Sequence, residues 1–260
     1  MQIVTLTTDF GTKDYYAAVL KGNILQQSDN IQIIDISHSI STHDIVEGAF
    51  FIKNAYRHYP KGTIHVASIQ SFNEDGKRII AFEKDGYKFL GPDNGFFSLI
   101  FDDINLIDKY QIQVEDQEQN SLNDVIKHGV GHLATGKPMK EIGPKLNEVL
   151  VKIGLRPVIT KSNIRATITH VDHFGNVIIN LKREVFHKER NGRKFLIYYK
   201  GREQIDVVQN HYSDVEIGDV VCFFNSADFL EIAINMGNAS EMLALRKNET
   251  IQIDFLDGSS

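Results

Sequence analysis

Two carboxylates and a glycine stand together near the start of the chain. In LTTDFGTKDYYAAVLKG, residues 6–22, Asp9 ends a β-rich run, Gly11 follows, and Asp14 comes just before a helical pattern. A carboxylate at the end of a strand can accept hydrogen bonds from both hydroxyls of a ribose, and a glycine lets backbone approach closely. The same acids could instead cap the next helix. Three further stretches set polar side chains beside glycine or a turn. GPDNG, residues 91–95, follows a strand, and turn chemistry alone accounts for every residue in it. VDHFGNVIINL, residues 171–181, brings Asp172, Phe174 and Asn176 together around Gly175. An asparagine can meet an adenine edge with a donor and an acceptor, and a phenylalanine can stack on the ring. FFNSADFLEIAINMGNA, residues 223–239, offers Asn225 and Ser226 ahead of an alternating apolar segment. Together these stretches describe a site for a polar, nucleoside-like ligand.

Other candidates carry less. Ser37 and His38 in DISHSI are adjacent, so on an extended chain they point to opposite faces and cannot act as a nucleophile–base pair. His128 and His132 are four apart on an expected helix and could meet on one face. No carboxylate joins them at helical spacing, so no metal site is expected. The single cysteine, Cys222, sits in the apolar run 220–224 and is expected to be buried and inert. It excludes an internal disulfide and a cysteine-based zinc site.

The elements that would hold these residues follow from periodicity. Residues 2–7 alternate and are β-rich, and 15–27 carry apolar residues at helical spacing. Residues 31–36 form a short apolar run, as a buried strand does. Asp44 is a good N-cap for a helix carrying Ala49, Phe50, Ile52 and Ala55. Residues 63–69 form a strand, 78–83 and 87–91 pair across Lys84-Asp85-Gly86, and a helix covers 122–134. Alternating strands and helices predict an α/β domain with a mainly parallel sheet over 1–153. The texture then changes to short strands separated by polar turns, which predicts a smaller all-β barrel domain over 164–260. Residues 154–163 read as a linker.

A chain of 260 residues has ample length for a real core. Its formal net charge is −6 with the basic residues scattered, which argues against nucleic acid as a partner. No segment approaches the roughly 20 apolar residues of a membrane span. MQIVTLTTDF has neither a basic region nor a long apolar stretch, so no secretory signal is expected and a reduced, cytoplasmic setting is.

Seven segments, in this order, resemble the S-adenosyl-L-methionine (SAM) hydroxide adenosyltransferase family, the SAM hydrolases related to the SAM-dependent fluorinase and chlorinase. They are TTDFGTKDYYAAVLKG, DISHSI, GTIHV, GPDNG, HLATG, VDHFGN and LEIAIN. The resemblance implies an N-terminal α/β domain, a C-terminal β-barrel and a homotrimer with sites between subunits. SAM is then ligand or substrate, and no separate cofactor or metal is implied. By resemblance Asp9 lies at the ribose diol and Asp14 in the neighbouring substrate shell. Asp172 matches the residue that meets the methionine ammonium, Phe174 and Asn176 match the adenine wall and edge, and Ser226 matches a position near the methionine carboxylate.

The family attributes water activation to an Asp, an Arg and a His. The Asp lies in a V-D-P-G-V-G segment and the Arg seven residues on, and the His opens an H-G-R-D segment. This chain has IQSFNE and SLND there, so the three positions fall on Gln70, Lys77 (with Arg78 beside it) and Ser121. Leu122 replaces a glycine, and Asp124 is kept. Gln70 carries no charge, and Ser121 has no useful basicity near neutral pH. Leu122 adds bulk where a nucleophile pocket is expected. The expectation is a SAM- or adenosine-binding protein that hydrolyses SAM to adenosine and methionine with reduced or altered activity. The alternatives are a non-catalytic protein that senses or sequesters such a ligand, and a structural trimer without one.

Overall fold

The computed structural model describes residues 1–71, 78–114, 121–201 and 203–256. Two compact units meet in sequence at Gly154 and Leu155. The first begins with β1 (Gln2–Thr8), α1 (Tyr16–Leu25), β2 (Ile31–Ser37), α2 (Ile45–Ala55) and β3 (Ile64–Ser68). It continues with β4 (Ile79–Lys84), β5 (Tyr87–Pro92), β6 (Lys109–Gln111), α3 (Leu122–Ala134) and β7 (Lys145–Leu146). Its sheet has the order β2-β1-β3-β5-β4-β6-β7.

Strand alternation divides the apolar side chains between the two faces. Val4, Leu6, Ile64 and Val66 pack with Leu20 and Ile24 of α1 and with Val125, Ile126 and Val130 of α3. Ala67, Phe82 and Phe89 pack on the other face with Ile45, Ala49 and Ile52 of α2. Gly129 lets α3 sit close to the sheet, because a Cβ there would lie 2.5 Å from side-chain carbons of Ile112 and Leu90.

The sheet is mixed rather than mainly parallel. The pairs β1–β2, β1–β3 and β3–β5 are parallel, whereas β4–β5, β4–β6 and β6–β7 are antiparallel. The reversal begins at the predicted hairpin. Asp85 (φ 53°) and Gly86 (φ 78°) both adopt the left-handed backbone that a tight two-residue turn needs. Once β4 runs against β5, the strands beyond it extend the antiparallel side. Among the parallel strands, α1 carries the chain to one side of β1 and α2 carries it back to the other. The carboxyl ends of β1 and β3 therefore flank a topological switch point, the place where open α/β sheets bind ligands.

The second unit contains β8 (Val158–Ile159), β9 (Asn163–Val171), β10 (Val177–Lys182), α4 (Arg183–Arg190) and β11 (Lys194–Lys200). After them come β12 (Glu203–Ile205), β13 (Val220–Phe224), β14 (Phe229–Ile234), α5 (Ala239–Met242) and β15 (Thr250–Leu256). Its antiparallel sheet has the order β12-β11-β15-β9-β10-β14-β13, with β8 beside β9. One apolar cluster gathers residues from β9, β10, β11, β13, β14 and β15. Two expectations are corrected here. The stretch 154–163 contains β8, which pairs with β9 through Val158–Arg165 and Ile159–Ile164. The unit is also not purely β, because α4 buries Phe186 in the core against Phe195 and Phe224. Among the described residues, no helix is long and apolar enough to cross a membrane.

Candidate functional site

Asp9 follows β1 directly at the switch point. Its side chain is only 8% exposed. Oδ2 accepts the backbone N–H of His43 at 3.0 Å and of Gln70 at 3.2 Å. The His43 ring lies 3.7 Å from the same oxygen. Oδ1 accepts no hydrogen bond among the described residues. One oxygen thus anchors the carboxylate to the loops after β2 and β3, and the other is available to a donor. His43 (φ 64°) and Gln70 (φ 51°) both hold the left-handed backbone that non-glycine residues rarely adopt. Such strain concentrates at ligand sites. The helix-capping alternative fails: α1 starts after Tyr15 with no side-chain cap and no acid in its first turn. Asp14 is exposed ahead of it.

Of the positions matched to the water-activating set, Gln70 and Ser121 have other partners. Ser121 is the N-cap of α3, in a reciprocal capping box with Asp124. Its hydroxyl also donates to Asp124 Oδ2 at 2.6 Å, and these bonds hold the Asp124 carboxyl below its ordinary range. Leu122, expected to fill a nucleophile pocket, is half-buried against the apolar cluster beneath α1 and α3. Arg78 Nε donates at 2.7 Å to the buried Asp93, whose other oxygen accepts Leu150 N–H at 2.8 Å. Lys77 lies outside the described residues. Within GPDNG, Asn94 joins the loops, donating to Ile69 O at 2.9 Å and accepting Phe96 N–H at 3.1 Å.

His38 does not engage Ser37. Its Nδ1 lies 2.8 Å from the buried Thr8 hydroxyl. Its Nε2 stands 3.1 Å from Asp35 Oδ1, in electrostatic contact, and Lys21 donates to Asp35 Oδ2 at 2.6 Å. Burial acts to raise the Asp35 carboxyl, but Lys21 and His38 outweigh it and the net shift is downward. The His38 carbonyl accepts Gly11 N–H at 2.7 Å, so this row of side chains braces the loop that bears Asp9.

In the second unit, Asp172 organises its own turn. Oδ1 accepts Phe174 N–H at 2.9 Å and Asn176 N–H at 2.8 Å, and Oδ2 accepts the Asn176 side-chain amide at 3.0 Å. Gly175 (φ 82°) permits the turn, and a Cβ there would run into the Asn238 amide. Phe174 projects outward and is 73% exposed. Asn176 also donates to the Tyr212 hydroxyl at 3.3 Å, and Tyr212 donates to Glu231 Oε1 at 2.7 Å. Asn225 donates to Glu231 Oε2 at 2.9 Å, while its own Oδ1 accepts the Ala227 and Phe229 N–H groups. Ser226 is exposed in that turn. Burial raises the Glu231 carboxyl and the Tyr212 hydroxyl above their ordinary values. The predicted residues fall into two groups, Asp9 and Asp14 in the first unit and Asp172, Phe174, Asn176 and Ser226 in the second. Sequence reasoning passed over Tyr212 and Glu231. A lone acid inside FLEIAI was the available signal.

His132 Nε2 lies 2.9 Å from Pro138 O, and Cys222 is a buried free thiol pushed up by burial. Among the described residues, no group of three or more His, Cys, Asp or Glu side chains could hold a metal ion.

Residues 4–143 match the model of the SAM hydroxide adenosyltransferase N-terminal domain, and residues 166–252 match that of its C-terminal domain. The chain is 31% identical to (R)-S-adenosyl-L-methionine hydrolase of Methanocaldococcus jannaschii, over 99% of this chain and 94% of that protein. It is 23% identical to the fluorinase of an Actinoplanes species, over 96% and 97% of the two chains. In fold it is similar to an uncharacterized conserved protein from Thermotoga maritima, with a TM-score of 0.83 and 24% identity over 97% of this chain and all (100%) of that one. With matches that run through both units and in chain order, this protein belongs to the SAM hydroxide adenosyltransferase family.

Proposed function

We propose that this protein binds SAM and hydrolyses it to adenosine and methionine, more slowly than relatives that carry the full Asp, Arg and His set. The observation that carries the reading is the 31% identity to a SAM hydrolase over 99% of the chain. The substrate is already activated. A water oxygen attacks the ribose C5′, the C5′–sulfur bond breaks with its electrons passing to sulfur, neutral methionine leaves, and a proton goes to solvent. The protein's part is to position the reactants and exclude bulk water.

In this reading Asp9 takes the ribose hydroxyls on Oδ1 while Oδ2 stays anchored. Asp14 lies in the neighbouring substrate shell. Asp172 receives the methionine ammonium, Phe174 stacks on the adenine, Asn176 meets its edge, and Ser226 lies near the methionine carboxylate. The antiparallel sheet of the second unit is the family's C-terminal barrel, and the protein works as a homotrimer. Gln70 and Ser121 supply neither charge nor base, which is the reason for a slow rate.

The test is chromatography of adenosine and methionine formed from SAM, beside titration calorimetry with SAM and adenosine. Product formation with saturable binding supports the proposal, and the absence of any binding to either ligand defeats it. A non-catalytic ligand-binding role is the second reading. It is favoured by the capping role of Ser121 and would appear as heat without product. Light scattering over a dilution series tests the trimer, and a monomer that still binds SAM contradicts it.

A further inference from the structure

The proposed site in the second unit rests on a buried chain of side chains whose polarity can be read from its ends. Glu231 lies on β14, an interior strand between β10 and β13, and is 3% exposed. A carboxylate offers only acceptors. With Glu231 ionised, the Tyr212 hydroxyl, 2.7 Å from Oε1, directs its one proton to Glu231, and the Asn225 amide presents its NH2 to Oε2. With that proton committed, the Tyr212 oxygen meets Asn176 as an acceptor. Asp172 Oδ2, also an acceptor, lies 3.0 Å from the same Asn176 nitrogen. The Asn176 NH2 group has two protons and two protein acceptors. Its Oδ1 has no partner among the described residues and is not sealed from solvent, although the residue as a whole is 6% exposed.

We propose that Glu231 and Tyr212 are positioning residues that fix the Asn176 amide with its NH2 turned inward and its carbonyl oxygen outward, so that the site reads a hydrogen-bond donor on the nucleobase, the exocyclic amino group of adenine. This rests on the nucleoside-binding reading above, and it replaces the two-way contact expected from the sequence with a single acceptor. A 6-oxo base presents an oxygen in that place and meets an oxygen. Glu231 acts twice, because through Asn225 it also holds the turn that carries Ser226.

The isosteric change Glu231→Gln tests polarity without changing volume. A carboxylate accepts on both sides, whereas an amide accepts on one and donates on the other, so one link of the chain must reverse or break. Calorimetry with adenosine and inosine on the full chain gives the ratio of their Kd values. The wild type is expected to prefer adenosine by about tenfold or more, and Glu231→Gln and Tyr212→Phe are each expected to reduce that preference about tenfold. A purely structural role weakens both nucleosides alike, and an unchanged ratio in both variants overturns the proposal. If the variants do not fold, the side-chain amide resonances of Asn176 in the labelled wild type decide. Both protons are expected to be hydrogen-bonded in the free protein and unchanged by adenosine. A proton that is free, or that acquires its bond only on adding adenosine, overturns the proposal. A wild type that binds neither nucleoside overturns the functional reading, while the free-protein resonances still report on the network.

Discussion

Asp9 and Glu231 are carboxylates almost closed off from solvent, and they are held in opposite ways. Asp9 is tied through one oxygen by backbone N–H groups from two loops. Glu231 is tied through both oxygens by side chains, one of them at the tip of its own β13–β14 hairpin. The first arrangement leaves an oxygen for a ligand, and its placement depends on where the loops after β2 and β3 settle. The second leaves nothing to offer directly, so in the proposal above Glu231 acts on a ligand only through Tyr212, Asn176 and Asn225. A carboxylate in a binding protein can thus be a contact or a fixture, and the number of its committed oxygens distinguishes the two.

The contrast can be pressed hardest through the reaction rate. General acid–base assistance is worth about 10²–10⁴-fold, so SAM turnover should fall short of a relative bearing the Asp, Arg and His set by about that factor. Adenosine formation measured side by side checks this, and equal rates would mean that the loops around Asp9 activate water by another route. Next in size is contact at Asp9. Asp9→Ala should weaken SAM or adenosine binding by about 1.5–3 kcal/mol in calorimetry, as loss of charge-assisted hydrogen bonds does. An unchanged Kd would make Asp9 a fixture like Glu231.

His65 offers a third test, this time of a buried group that touches no proposed ligand. Its Nδ1 lies 2.7 Å from the Thr5 hydroxyl, its Nε2 is sealed without a partner, and burial lowers its pKa to about 4. The unfolded chain takes up this proton near pH 6.5, while the folded one does so only near 4. The stabilisation is therefore complete above pH 6.5 and is lost progressively as pH falls toward 4. Between pH 7 and pH 5 the loss amounts to about 2 kcal/mol. Urea unfolding at the two pH values should show it, and His65→Phe should remove that part of the drop. The smallest effect belongs to Ser121. As an N-cap its change to alanine should lower stability by about 1 kcal/mol. A tenfold loss of turnover at saturating SAM, with stability unchanged, would return Ser121 to the chemistry.

Local chemistry was legible in the sequence and distant pairing was not. The strands of the parallel core, the cap at Asp44 and the Asp85–Gly86 turn depend on neighbours in the chain, and their residues announce them. Asp9 stood out as an acid at a strand end, but its partners are 34 and 61 residues away. In the sequence His38 stands beside Ser37, but its partner is Thr8, 30 residues earlier. The helix α4 escaped because REVFHKER buries only Phe186 and otherwise looks like a polar connection. The extension of the antiparallel side beyond the predicted hairpin escaped for a related reason: β6 has three residues and β7 two, too few to show a period.

The two sheets also differ in when they can be completed. β1 is flanked by β2 and β3, and its register with β3 pairs Val4 with Ile64. In the second unit the interior position between β9 and β11 is taken by β15, which pairs Ile253 with both Ile164 and Ile197. During synthesis β1 waits for partners that are made within the next sixty or so residues, whereas β9 and β11 wait for a strand made after nearly everything else. A ribosome that stopped at residue 249 would release a first unit with every strand and a second unit split along its middle. Both lips of that split would be open apolar edges, the kind that pair with other chains. Premature termination there should therefore yield an aggregating product, while loss of the outer strand β12 would be far better tolerated.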